Sequence, residues 1–189
     1  MGFQRIVGSG GTGDVAANAA RRAALRRILA CAWAATGLGA APLRAQSRTP
    51  HRLNLPSAQD LAADAAASAR ERIPILLFFD RQDCPYCERA LARYLVPISQ
   101  EDPWRGRAIF RQVEIGEPLP LADFDGRPIT HAILAARYKA TLSPTVAVVD
   151  GAGTILGTPV VGLLTADFYA AYLGAAIDEG VRKLRSPPG

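Results

Sequence analysis

The chain has 189 residues, with 22 Lys and Arg against 17 Asp and Glu and a formal charge of +5 at pH 7. The excess sits in residues 1–45, which hold six arginines and one acid, while residues 46–189 carry 16 basic and 16 acidic side chains. A neutral body without a basic run argues against a nucleic-acid partner, and the length allows one domain with an appendage.

Arg21-Arg22-Ala23-Ala24-Leu25-Arg26-Arg27 is a basic stretch ahead of the apolar run ILACAWAATGLGAA at residues 28–41. That run has signal-peptide length and is too short to span a bilayer. Leu43-Arg44-Ala45 offers a small residue for cleavage, so the mature chain is expected to begin near Gln46. Residues 1–45 therefore read as a signal peptide with an extended n-region, and the protein as exported. Arg21-Arg22 partly resembles a twin-arginine signal, but Ala24 stands where that signal prefers Phe, so the Sec and twin-arginine routes both stay open. Cys31 precedes most of the apolar core, which argues against a lipid anchor. Membrane contact is then confined to the uncleaved leader. Without the leader only Cys84 and Cys87 remain, and one close pair is not a disulfide scaffold.

Residues 46–56 are polar and contain prolines, and read as a flexible arm before a domain spanning 57–185. Ser57 is expected to cap a helix over 58–72, whose alanines favour that state. The continuous apolar run at 75–79 has the pattern of a central strand covered on both faces. Pro85 suits the first position of a helix. That helix carries Ala90, Leu91, Tyr94 and Leu95 at core spacing and is expected to end near Pro97. Residues 108–115 (AIFRQVEI) read as a strand, 116–128 as a loop, and 129–140 as a helix with Ile133, Leu134 and Tyr138 inward. A strand over 145–149, a turn at 150–153 and a strand over 154–161 form a hairpin. An amphipathic helix over 165–184 closes the domain, its basic end matched to a helix C-terminus. This order implies an α/β fold, a sheet with helices on both faces.

Cys84-Pro85-Tyr86-Cys87 lies where the first strand hands over to a helix, the placement of a redox dithiol. With Pro85 as the first helical residue, Cys84 becomes the N-cap, and its sulfur accepts a hydrogen bond from the Cys87 N–H. The helix dipole adds about 0.3–1 kcal/mol for an anion near the surface. Both effects lower the Cys84 thiol pKa. Cys84 is then the attacking thiol and Cys87, one turn inside, the resolving thiol. Asp83 and Glu88 oppose a thiolate while Arg81 and Arg89 favour one, and sequence alone leaves their sum unsigned. Tyr86 reads as a rim contact and Trp104 as a loop anchor.

FFDRQDCPYC, followed at long range by Ser143-Pro144-Thr145 and an apolar strand, resembles the thioredoxin superfamily over roughly residues 70–180. The segment ADFDGRPITHAILAARYKATLSPTVAVVD is more narrowly similar to periplasmic thioredoxin-like proteins associated with bacterial sulfur oxidation. The resemblance implies a thioredoxin-like fold, with a central mixed sheet of about four strands flanked by helices. It implies disulfide exchange with periplasmic protein thiols through the redox-active Cys84–Cys87 pair, with no further cofactor. Pro144 becomes a cis-proline that presents the Ser143 backbone to an extended partner peptide and keeps metal off the sulfurs. Pro85, Tyr86, Ser143 and Pro144 form the implied substrate-binding set. The narrower likeness implies a reductase kept reduced by a membrane electron donor. Two positions depart from the pattern. Phe78 stands six residues before Cys84, where thioredoxin has a buried aspartate, and Asp83 replaces a tryptophan. Both argue against a general reductase as vigorous as thioredoxin.

Other chemistries fit less well. A zinc site needs about four ligands, and His51 and His131 are remote in sequence from the pair and expected at the surface. Asp123-Phe124-Asp125-Gly126 opens like a calcium loop, but its glycine comes early and Leu134 stands where a bidentate glutamate is required. No metal is expected. A purely structural Cys84–Cys87 bridge would close too small a loop to stabilise much. The rival from another class is a non-catalytic periplasmic carrier of copper(I) or of a haem-protein precursor, since soft sulfurs select copper(I). Within the enzyme class the alternative is a disulfide oxidase or isomerase.

Overall fold

A computed structural model describes residues 54–163 and 166–186. The expected leader, residues 46–53 of the arm with His51, and Thr165 lie outside them. Among the described residues no helix is long and apolar enough to cross a membrane.

Strand β1 (Ile75–Asp80) is buried at every position, which is why its apolar residues run without alternation. It pairs in parallel with β2 (Ile109–Glu114) and antiparallel with β5 (Thr145–Val149). β6 (Val160–Val161) adds to β5, giving a four-stranded mixed sheet in the order β2-β1-β5-β6. Side chains of a strand alternate between faces, and two cores result. Leu76 and Phe78 join Phe110, Val146 and Val148 on one face, against Cys87, Leu91 and Leu95 and the Leu173 and Ile177 of α5 (Ala166–Arg185). Ile75, Leu77 and Phe79 join Val113, Ala147 and Val149 on the other, against Leu61 and Leu134. The expected four-stranded sheet with helices on both faces is what forms.

Several boundaries differ from expectation, each for a physical reason. Helix α1 is Leu61–Glu71, capped not by Ser57 but by Asp60, whose carboxylate accepts from the Ala63 N–H at 2.9 Å. The preceding residues are engaged elsewhere. The Gln112 N–H donates to the Pro56 carbonyl and the Ala58 N–H to the Gln112 carbonyl, both at 2.9 Å, so Ser57 lies beside β2. Leu55 is buried as well. Leu55 and Pro56, expected in the arm, are thus packed or hydrogen-bonded against the domain. Asp64 on α1 is gripped by Arg111 of β2 through two bonds of 2.8 and 2.6 Å.

Pro97 does not end its helix. The segment runs as α2 (Pro85–Ala90), a π-helical turn (Leu91–Leu95) and α3 (Val96–Gln100). In the widened turn the Val96 N–H reaches back to the Leu91 carbonyl. That widening lets a proline, which lacks a donor and crowds the carbonyl four residues back, follow without a break. The expected loop over 116–128 contains a short antiparallel hairpin, β3 (Pro120–Ala122) with β4 (Pro128–Thr130). Its prolines begin each strand, where a missing donor is tolerated.

Ile129 is consequently in a strand, and α4 is His131–Arg137, capped by Thr130. This shorter helix leaves Ile133 exposed, while Leu134 is buried and Tyr138 packs on Phe79 with ring centroids 5.6 Å apart. His131, expected at the surface, is buried. The partner of β5 is broken too: Ile155 bridges Val149 and only Val160–Val161 pair further on, with Gly157 and Pro159 between them. Trp104 packs its indole over Gly174 of α5, the anchoring role expected of it.

Candidate active site

β1 delivers the chain to the site at its C-terminal end, and three exposed residues, Arg81, Gln82 and Asp83, carry it to Cys84. Asp83 has φ 54°, a left-handed conformation that a short polar side chain tolerates. Cys84 is the N-cap of α2, in extended backbone, with Pro85 opening the helix. Its sulfur accepts from the Cys87 N–H at 3.2 Å, as the spacing predicted. Cys84 and Cys87 are joined as a disulfide with their Cα atoms 5.2 Å apart. Cys87 is buried in the first core and Cys84 is half-buried at its edge. Cys84 is therefore the more accessible of the two cysteines.

The second half of the site comes from the loop before β5. The Ser143–Pro144 peptide is cis, and Pro144 is buried. The Ser143 hydroxyl donates to the Cys84 sulfur at 3.7 Å. Two bonds brace that loop: Gly162 N–H to the Pro144 carbonyl at 2.7 Å, and the Thr145 hydroxyl to the Leu142 carbonyl at 2.8 Å. Tyr86 stands 59% exposed beside the pair, its ring 6.0 Å from the Arg89 guanidinium. The fold thus brings Cys84, Pro85, Tyr86 and Cys87 together with Ser143 at one end of the sheet.

Sequence reasoning gave Ser143 only its backbone; that its hydroxyl faces the outer sulfur had no local signal. Phe78 packs in the same apolar core as Cys87. The buried carboxylate on that sheet face comes two residues later, at Asp80, which accepts from the Gln112 side chain at 2.7 Å. His131 is no metal ligand, since both ring nitrogens are engaged: Nδ1 with the Glu114 N–H at 3.0 Å and Nε2 with the Ala58 carbonyl at 2.8 Å.

The pattern of thioredoxin-like domains matches residues 59–177, which span both halves of this site. The chain belongs to the thioredoxin-like domain family. With its paired Cys84 and Cys87, this thioredoxin-like protein is a thiol–disulfide oxidoreductase in kind. Among solved structures it is similar to the periplasmic thioredoxin SoxS of Paracoccus pantotrophus in reduced form. The two are 25% identical over 56% of this chain and 97% of that one, with a TM-score of 0.39. A thioredoxin-fold protein of Helicobacter pylori is 19% identical, covering 60% of this chain and 80% of its own, with a TM-score of 0.44. The oxidised C-terminal domain of Neisseria meningitidis DsbD is 23% identical, covering 64% of this chain and 98% of its own, with a TM-score of 0.42. A search of curated proteins finds no match.

Proposed function

We propose that this thioredoxin-like protein is a periplasmic reductase of partner-protein disulfides, acting through Cys84 and Cys87 with no other cofactor. The observation that carries the catalytic assignment is the half-buried Cys84 sulfur, which faces two donors, the Cys87 N–H and the Ser143 hydroxyl. Hydrogen bonds to an ionised group are about twice as strong as neutral ones, so both donors favour the thiolate once the pair is reduced. The start of α2 adds its dipole.

The Cys84 thiolate attacks one sulfur of the partner disulfide, and the partner's other sulfur leaves as a thiolate that takes up a proton. Cys87 gives up its proton and attacks the Cys84 sulfur of the mixed disulfide. The Cys84–Cys87 bond forms, the partner's second sulfur leaves, and two electrons have passed from the dithiol to the partner. Ser143, ahead of Pro144, presents its backbone to an extended partner segment, and Pro85 and Tyr86 line the approach. Pro144 beside the sulfurs restricts metal access. The oxidised pair regains two electrons from a membrane electron donor. Export rests on the leader sequence, by the Sec or twin-arginine route. The direction of exchange rests on the likeness to sulfur-oxidation-associated thioredoxin-like proteins.

Cys84→Ser is expected to abolish exchange, whereas Cys87→Ser accumulates a mixed disulfide with the physiological partner, read on non-reducing gels with mass spectrometry. If Cys87→Ser traps nothing in cells while Cys84→Ser retains activity, the roles are wrong. A reduction potential near those of strong oxidants, with the pair mostly disulfide in cells, would replace the reductase by an oxidase or isomerase. Tight copper(I) binding without insulin-type disulfide exchange would favour the carrier instead.

A further inference from the structure

Among the described residues, two side-chain hydrogen bonds cross between the loop that carries the dithiol and the loop that carries Ser143. Cys84 meets Ser143 at 3.7 Å. Three residues earlier, the Arg81 guanidinium donates from Nη2 to the Thr141 carbonyl at 3.4 Å. The Ser143 loop is held to its own side of the site by Thr141 N–H to Lys139 carbonyl at 2.9 Å, by the Thr145 hydroxyl and by Gly162. None of those bonds reaches the dithiol loop.

We infer that Arg81 is a positioning residue, which ties the Thr141 carbonyl to the dithiol loop and so sets how closely the Ser143 hydroxyl approaches the Cys84 sulfur. The inference rests on the reading of Cys84 as the attacking thiolate. A planar guanidinium with several donors suits a bridge between two loops, where an ammonium would act as a mobile point charge. Hydrogen bonds weaken steeply with misalignment. A loosened loop therefore costs the thiolate its hydroxyl donor before it disturbs the Cys87 N–H, which α2 itself fixes. Arg81 is exposed, and its replacement leaves both cores intact.

The test is the pH dependence of Cys84 alkylation in the reduced full chain, resolved from Cys31 and Cys87 by peptide mass spectrometry. Arg81→Ala and Ser143→Ala are each expected to raise the Cys84 thiol pKa by roughly half a unit, about a threefold loss of thiolate at a pH below it. In the Ser143→Ala background, Arg81→Ala is expected to add nothing. Arg81→Lys, which keeps the charge, is expected to recover less than half the shift. Additive shifts that fade with salt assign Arg81 a through-space charge effect and overturn the positioning role, as does an unshifted Arg81→Ala. The underlying site reading fails separately: an unvaried protein whose Cys84 titrates as an ordinary cysteine near about 8.5 would remove it whatever the variants do.

Discussion

His131 has both ring nitrogens committed to main chain. Because Nδ1 accepts the Glu114 N–H, the neutral ring carries its proton on Nε2 and donates it to the Ala58 carbonyl. The imidazole thus joins the segment before α1 to the end of β2 and the start of α4. His131→Ala would leave a part-buried donor and a buried acceptor unpaired, each costing up to about 1–3 kcal/mol. We expect a loss of roughly 3 kcal/mol in urea unfolding with the Cys84 thiol pKa unchanged. A loss within the roughly ±0.5 kcal/mol of a surface substitution would mean that water replaces both bonds. Nothing local marked this histidine as buried, because a lone His beside a helix start carries no periodic signal. Cys84 is different: proline at the next position and a second cysteine three residues on define an N-cap by local spacing alone.

Helix α5 shows how packing overrides propensity. Gly174 lies within it, and glycine in a helix interior costs about 1 kcal/mol relative to alanine. Here a Cβ would run into the six-membered ring of the Trp104 indole, a rigid group held against the helix. Gly174→Ala is therefore expected to destabilise by about 1–3 kcal/mol, as overpacking does, instead of stabilising. A higher urea midpoint for this variant would show that the indole swings aside freely. The same competition explains the π turn before Pro97, where the helix carries Leu91, Leu95 and Val96 into the core and continues past a residue that sequence rules treat as a stop.

One ion pair couples a helix to the sheet within the domain. Asp64 is 5% exposed and held bidentately by Arg111, which links α1 to the outer strand β2. Removing one partner of a buried pair strands the other, at about 3–5 kcal/mol. Asp64→Ala is expected to cost near the lower end, since Arg111 is only half-buried. A thermal midpoint equal to that of the unvaried protein would reduce the pair to a surface contact. Burial also pushes the phenols of Tyr138 and Tyr169 above their ordinary value of 10.0. A raised folded-state pKa contributes stability that is complete below about pH 10 and is lost as pH climbs past it. Unfolding free energy should therefore begin to fall near about pH 10 and keep falling as pH rises further, and Tyr138→Phe should flatten that fall. An unchanged slope in the variant would assign it to other groups.

The sheet with its two helical layers, the central strand and the dithiol at a helix start were legible in the chain, because apolar period, cap chemistry and close spacing are local properties. The boundaries of α1, the β3–β4 hairpin and the burial of His131 were not, because each depends on a backbone group finding a partner on β2 or across a turn. The site divides the same way. Cys84 and the Cys87 N–H are three residues apart and follow from spacing, whereas the Ser143 hydroxyl stands 59 residues away and Thr141 stands 60 from Arg81. Those contacts exist only once the antiparallel register of β1 with β5 sets Phe79 opposite Thr145 and lays the two loops side by side.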